Sequence, residues 1–233
     1  MARAQALGHL YPSAAEFLRF YREIARFQKH LSEVLPPVSA TSPVFALNVD
    51  EVPDLMGTHA DTLLELLTRV APRDLATTAA VLARSPNWSS SDPAVRFINR
   101  VLLQPYAENM AQSAVLEQPA VSAKCPFCGE LPIVALGKRS LLCSLCATEW
   151  QFPLNQCLKC GEADERQLPI FNAGPFPHIG IAACDTCHSY LKTVNLTGHP
   201  EAVPDVEELA SLPLDLWAAQ NQYVKLQPNL FGL

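Results

Sequence analysis

The chain has 233 residues, of which 49% are hydrophobic and only 17% charged, a composition that indicates folded domains and excludes a disordered tail. A formal net charge of −6 gives no overall attraction for nucleic-acid phosphates or anionic membranes. No signal peptide is evident, nor any run of about eighteen apolar residues that could span a membrane. We therefore expect a cytoplasmic protein with reduced thiols and no stable membrane association.

The N-terminal half is patterned for helices. Ser13 and Glu16 form a capping box, followed by apolar residues at helical spacing until Pro36–Pro37 ends the pattern. A connector with a short apolar patch at 44–47 leads to three more helices. The predicted helix starts are Ser13, Thr58, Pro72 and Asp92–Pro93. Four helices with short connections predict an α-helical bundle over residues 1–119.

All eight cysteines lie in the second half as four C-x-x-C pairs. Two cysteines separated by two residues can turn both sulfurs toward one point when the chain bends between them. Two such knuckles complete a tetrahedral four-thiolate site that suits zinc or iron. Gly129 and Gly161 follow pairs one and three, where a knuckle commonly needs positive φ. The predicted metal ligands are Cys125, Cys128, Cys143, Cys146, Cys157, Cys160, Cys184 and Cys187.

The order of the pairs predicts which cysteines share an ion. A glycine knuckle, a hairpin and a plain knuckle are followed by an aromatic residue, and this series occurs twice. The repeat, together with the lower entropy cost of closing shorter loops, favours pairing in chain order. A cross-brace, in which pairs one and three share an ion, is the alternative. Structural disulfides and a thioredoxin-like redox pair fit four ribbon-spaced pairs less well.

Short strands accompany the knuckles. They are expected at 133–136, from Leu141, and at 149–152, 168–171, 179–182 and 190–194, with a turn starting at Asn172. The fold class is therefore α+β, in four parts: the helical domain 1–119, a first four-cysteine ribbon 120–155, a second ribbon 156–197, and C-terminal helices with a tail 198–233. Helices are expected at 204–210 and from Leu214, with an apolar, docked tail from Pro228. A ribbon of about 30 to 40 residues buries too little apolar surface to fold alone. We therefore expect metal binding and folding of this half to be one event.

The cysteine pairs with their neighbours resemble the formate dehydrogenase accessory protein family of the FdhE type. The matching phrases are Cys125-Pro-x-Cys-Gly129, Leu142-Cys-x-x-Cys-x-x-Glu-Trp150, Cys157-x-x-Cys160 and Cys184-x-x-Cys-x-x-Tyr-Leu-Lys192. Weaker matches cover 102–108 and 17–28. Longer members carry additional residues before the first helix.

This resemblance implies a cytoplasmic assembly factor with two rubredoxin-like modules and two metal ions per chain, iron or zinc. It implies binding to the catalytic subunit of a respiratory formate dehydrogenase, as part of the maturation of that subunit. The eight cysteines carry over as ligands. The residues Glu149, Trp150, Tyr190 and Lys192 match the family without an implied role.

Other functional classes have weaker support in the sequence. No phosphate loop, Ser/His/Asp order or H-E-x-x-H helix is present, so we expect no enzyme. His188, beside Cys187, is the one histidine next to a predicted ligand. The ribbons balance six basic against six acidic residues between 121 and 194, which disfavours nucleic-acid binding. An iron electron carrier stays open, because spacing does not separate iron from zinc. The basic side chains that could offset thiolate charge are Lys124, Lys138, Arg139 and Lys159.

Overall fold

The computed structural model describes residues 1–34, 52–85, 87–88, 91–114, 121–137, 139–153 and 155–233. The N-terminal half of the described chain is helical. Its helices are α1 (Ala2–Leu10), α2 (Ala15–Val34), α3 (Val52–Val70), α4 (Arg73–Arg84) and α5 (Pro93–Ser113), with a 3-10 turn at Pro12–Ala14 between α1 and α2.

The predicted starts of the first two helices are wrong. Ser13 lies inside the 3-10 turn, so the chain is already helical there and Ser13 is not an N-cap. Helix α1 carries too weak an apolar pattern to be predicted, because it buries only Ala4 and Leu7. Helix α3 begins at Val52, before Thr58. The predicted stop at Pro36–Pro37 and the patch at 44–47 lie outside the described residues.

The starts of the later helices are confirmed. Pro72 stands at the N-cap of α4. The Asp92 side chain accepts a 2.7 Å hydrogen bond from the amide of Ala94 at the start of α5, which satisfies one of the unpaired amides of the first turn. Helix α5 then continues through Pro105 to Ser113.

In the described part of the chain, seven strands form one sheet. They are β1 (Pro132–Leu136), β2 (Ser140–Cys143), β3 (Glu149–Gln151), β4 (Ile170–Ala173), β5 (Phe176–Ala183), β6 (Ser189–Val194) and β7 (Val224–Lys225). The order across the sheet is β3-β2-β1-β6-β5-β4, with β7 also paired to β6. Strand β4 starts and ends later than predicted, so Asn172 belongs to the strand and not to the turn.

The two ribbons meet at a parallel pair. Strand β6 of the second ribbon lies beside β1 of the first, with Val134 opposite Lys192 and Leu136 opposite Val194. All other pairs among β1 to β6 are antiparallel hairpin neighbours. The first ribbon therefore continues directly into the second through main-chain hydrogen bonds.

The ends of the chain close the structure. Helices α6 (Pro204–Ala210) and α7 (Leu212–Gln220) follow the second ribbon, and the predicted docked tail is confirmed. Phe231 stacks on Phe97 of α5, with ring centroids 5.3 Å apart, and contacts Phe17 and Phe20 of α2. Among the described residues, no helix combines the length and apolar character needed to cross a membrane.

Candidate metal centres

Every C-x-x-C pair is held by the same main-chain bond. The amide of the first cysteine donates to the carbonyl five residues later: Cys125 to Glu130, Cys143 to Thr148, Cys157 to Glu162 and Cys184 to Ser189, at distances of 2.7 to 2.9 Å. An amide of the bend also donates to the first sulfur in three of the pairs, from Phe127, Leu145 and Lys159, at 3.3 to 3.4 Å. The local sequence thus folds four times into one sulfur-presenting turn.

The residue after the second cysteine is left-handed in every knuckle. The prediction for the glycines is confirmed, with φ of 76° at Gly129 and 75° at Gly161. The two knuckles without glycine adopt the same backbone, with φ of 53° at Ala147 and 52° at His188. Side chains beyond glycine are disfavoured in this region, so the second and fourth knuckles are strained where the first and third are not.

The first and second knuckles converge on one group of four sulfurs, the first centre. The Sγ atoms of Cys125 and Cys146 lie 3.6 Å apart, and those of Cys128 and Cys143 lie 3.3 Å apart. All four sulfurs lie within 4.8 Å of one another, in a group that could hold a metal ion.

The third and fourth knuckles form the second centre in the same way. The Sγ atoms of Cys157 and Cys187 lie 3.6 Å apart, and those of Cys160 and Cys184 lie 3.7 Å apart. These four also lie within 4.8 Å of one another. Grouping in chain order is therefore confirmed, and the cross-brace is wrong.

The sulfur separations fit zinc or iron. A tetrahedron with metal–sulfur bonds of about 2.3 Å has sulfur–sulfur edges of about 3.8 Å, close to the separations in both centres. Hydrogen bonding within the first centre lowers the pKa of Cys125, chiefly through Cys128, and raises the pKa of Cys143, chiefly through Cys125. Without a cation, some of the four sulfurs therefore keep their protons while others lose them. A bound cation would stabilise all four as thiolates.

Two hydroxyl groups lie beside the sulfurs and were not predicted from the sequence. Thr148 Oγ1 lies 3.1 Å from Cys146 Sγ, and Ser189 Oγ lies 3.0 Å from Cys187 Sγ. Both residues stand two positions after the second cysteine of a glycine-free knuckle. Aligning the two repeats of the chain could have found them. A hydrogen bond donated by a hydroxyl to a thiolate disperses the negative charge of the sulfur.

The first centre is buried. Cys125, Cys143 and Cys146 are each no more than 3% exposed. The bend residues Phe127 and Leu145 belong to the same hydrophobic core as helices α2 to α5. Arg100 of α5 also donates a 2.8 Å hydrogen bond to the carbonyl of Ser144, in the second knuckle. This knuckle is therefore docked directly on the helical bundle.

The second centre lies at the surface. Cys160 is exposed and Cys187 is half-buried, and the bend residues Lys159 and Thr186 are exposed. Leu158 of the third knuckle packs against the bundle core, but the exposed side of this centre is held by polar contacts. Thr186 donates its hydroxyl to Glu162 at 2.7 Å, while the amides of Asp164 and Ala163 also bind this carboxylate. The Asp164 amide and the Thr186 hydroxyl hold the pKa of Glu162 below its usual value.

Lys192, which matches the family phrase, is fully buried and binds the C-terminal helices. Its Nζ donates to the Glu208 carbonyl at 2.8 Å, the Ser211 carbonyl at 3.2 Å and Asp215 Oδ2 at 2.6 Å. Tyr190, two residues earlier, donates to Asp215 Oδ1 at 2.7 Å. Burial and the neighbouring Asp215 raise the pKa of Tyr190. These residues attach α6 and α7 to the sheet and take no part in either sulfur group.

The other matching residues are also placed outside the sulfur groups. Trp150 is buried in the core of the first ribbon and donates its indole N–H to the Ser122 carbonyl at 2.9 Å, while Glu149 is exposed. Neither candidate ligand group among the described residues includes His188, which is exposed and lies beside Tyr223 with ring centroids 6.0 Å apart.

Residues 156–231, which hold the second centre and the C-terminal helices, match the family described as "FdhE, C-terminal domain". A protein of Aquifex aeolicus named "Protein FdhE homolog" is 34% identical over 151 residues, covering 61% of this chain and 53% of that protein. The C-terminal third of the chain therefore resembles the FdhE family. A second FdhE homolog, from Haemophilus ducreyi, is 36% identical over 118 residues, covering 47% of this chain and 38% of the relative.

The FdhE fold is matched over almost the whole chain. The crystal structure of the FdhE protein from Pseudomonas aeruginosa superposes with a TM-score of 0.73 at 21% identity, covering 98% of this chain and 94% of that one. The match supports the α+β arrangement of N-terminal helices, four-cysteine ribbons and C-terminal helices. In sequence, the chain spans about half the length of the FdhE relative from Aquifex aeolicus, with 53% covered.

Proposed function

We propose that this protein is a cytoplasmic accessory factor that binds the catalytic subunit of a respiratory formate dehydrogenase and is needed for its maturation. The eight cysteines are its metal ligands, four on each of two ions, iron or zinc. The observation that carries this proposal is the pair of four-sulfur groups built into one sheet. The formate dehydrogenase client comes from the family resemblance in the sequence.

The geometry favours binding over catalysis. Four thiolates complete a tetrahedral coordination sphere and leave no open position for a substrate, as a closed structural site requires. The metal then fixes the ribbons, and the ribbons and helices present a surface to the client. Ions held in this way contribute directly to folding, so client binding should depend on metal binding.

Capture of the client tests the proposal. The catalytic subunit of formate dehydrogenase is passed over immobilised wild-type protein and over a Cys143→Ser variant. We expect capture by the wild type and little or none by the variant, whose first centre lacks a ligand. Absence of capture by metal-loaded wild-type protein would contradict the proposed function.

The exposure of Cys160 favours a second candidate, an iron electron carrier acting on the same client. A surface sulfur ligand brings the iron within reach of a redox partner, and each ferric centre would accept and pass on one electron. Colour separates the candidates, because ferric four-thiolate protein is red and the zinc form is colourless. Metal analysis with a visible spectrum of protein purified without added metal is therefore the first measurement to make.

A further inference from the structure

Strand β4 leaves one side of its backbone open. The Ala183 amide donates to the Pro169 carbonyl at 3.0 Å, and the register places Phe171 opposite Ile181. Hydrogen-bonded pairs alternate in an antiparallel ladder, so Phe171 bonds to β5 while the N–H and C=O groups of Ile170 and Asn172 point away from it. Among the described residues, no hydrogen bond to these outward backbone groups is found.

This edge is short and its register shifts between Asn172 and Ala173, but it carries no charged side chain. Natural sheets blunt their edges with charged side chains or cover them, but β4 reads Ile-Phe-Asn-Ala, and Ile170 is 54% exposed. The opposite edge, β3, carries Glu149 and Gln151 as exposed polar residues on either side of buried Trp150. The β4 edge is therefore better suited than the β3 edge to pair with an additional strand.

The surroundings of β4 indicate the charge of an incoming chain. Asp185 lies beside the segment that enters β4, because its amide donates to the Gln167 carbonyl at 2.9 Å. Arg166 is already paired with Asp164, at 2.6 Å. Between residues 157 and 187 the chain carries four carboxylates and two cations: Glu162, Asp164, Glu165 and Asp185, with Lys159 and Arg166.

We propose that the open edge of β4 binds an extended segment of the client polypeptide by strand addition, with a basic residue of that segment facing the carboxylates beside the second centre. Main-chain hydrogen bonds provide the affinity and alternate side chains the selectivity, as in other strand-addition complexes. The second centre fixes the hairpin that presents the edge. This inference rests on the proposed function, since the client is the same catalytic subunit.

A proline at position 172 tests the backbone itself. Asn172 directs its N–H away from β5, so Asn172→Pro removes a donor from the open edge and leaves the β4–β5 ladder intact; proline is tolerated at such edge positions. Asn172→Ala is the matched control, because it removes the side chain and keeps the N–H. In a capture titration with the catalytic subunit, we expect binding to N172P to fall at least about tenfold below binding to N172A.

Three results would overturn the inference, and they are distinguishable. If the wild type captures the subunit and N172P captures it equally well, the edge is not the docking site and the proposed function stands. If metal-loaded wild type captures nothing, both fail. If N172P converts a wild-type dimer into monomers without changing client capture, the edge serves a second copy of this chain.

A side-chain variant keeps the test valid if N172P fails to fold. Metal content and the near-ultraviolet circular dichroism spectrum verify the fold of each variant. Ile170→Lys changes a side chain that is already mostly exposed and places a charge on the edge, which opposes strand addition. We expect the same loss of capture, and unchanged capture by a folded I170K protein would also overturn the inference.

Discussion

The two sulfur centres share a backbone and differ in their surroundings. Both are made of a glycine knuckle and a strained knuckle, closed by the same main-chain hydrogen bonds. Phe127 and Leu145 at the bends of the first centre are buried in the bundle core, whereas Lys159 and Thr186 at the corresponding bends of the second are exposed. The cysteines therefore determine the shape of a knuckle, and the bend residues determine where it docks.

Because of this difference, we expect the two centres to contribute unequally to the stability of the fold. The first belongs to a core that joins the helices to the sheet. At the second centre, Leu158 also packs against this core, whereas Asp185 makes a polar contact: the Tyr223 hydroxyl donates to it at 2.5 Å. Loss of the first ion should thus affect the whole described fold, and loss of the second only the outer hairpins.

Ligand substitution should show the largest contrast. Cys143→Ser removes a buried cysteine of the first centre, so we expect this variant not to bind the first ion. Because a structural zinc contributes on the order of 10 to 16 kcal/mol to folding, the ribbon and the bundle should then no longer unfold together in one cooperative transition. Cys160→Ser should lose the second ion alone and keep the helical circular dichroism signal. Metal content per chain and thermal unfolding measure both effects. If the two variants unfolded at the same temperature and to the same extent, the expected difference between the centres would be wrong.

Chelation should be biphasic. The second centre opens by local motion of surface hairpins, and the first opens only with its core. We expect the second ion to reach a competing chelator at least about tenfold faster than the first, a difference of about 1.4 kcal/mol in opening free energy if opening is at equilibrium. Absorbance of a colorimetric chelator follows the release. The Cys160→Ser variant serves as the control, and a fast phase persisting in it would contradict the assignment.

Backbone strain should be equal in the two centres. Ala147→Gly and His188→Gly each relieve a left-handed residue, and we expect each to raise the free energy of unfolding by about 0.5–1 kcal/mol. Gly129→Ala and Gly161→Ala should lower it by a similar amount. A Cβ at either glycine has nothing within 4 Å, so this loss reports backbone strain alone. Denaturant unfolding measures all four, and a stabilising G129A would refute the strain argument.

Charge beside the second centre should have the smallest effect. Lys159 is exposed, and its amide donates to Cys157 Sγ at 3.3 Å. If its ammonium offsets thiolate charge, Lys159→Glu should speed metal release from the second centre by less than about tenfold, and added salt should reduce the effect. Lys124→Glu, near the first centre, is the matched control. Unchanged chelator resistance of K159E would show that Lys159 is merely solvated.

Local features of the centres could be predicted from sequence. The C-x-x-C spacing and the repeat predicted which cysteines meet, and Gly129 and Gly161 marked their left-handed positions. Asp92–Pro93 marked the start of α5. In each case the structure is determined by residues within a few positions of one another. The polarity of the bend residues was also visible in the sequence, and it correlates with the depth of each centre.

Features set by distant contacts could not be predicted. Nothing near Val134 indicates that it pairs with Lys192, because parallel pairing joins segments far apart in the chain. Lys192 itself would be expected in solvent, yet it is buried among groups supplied by α6 and α7. Ala147 and His188 adopt a backbone that their own side chains disfavour, since their neighbours close the knuckle around them.

The position of β6 between β1 and β5 constrains the order in which the sheet can assemble during synthesis. On the ribosome, β1 emerges before β6, so the first ribbon can form while the flank of β1 that receives β6 is still unpaired. That flank is a template for stray strands of other nascent chains. A chain truncated between the two ribbons would thus expose this flank of β1, and synthesis through residue 194 provides the strand that covers it.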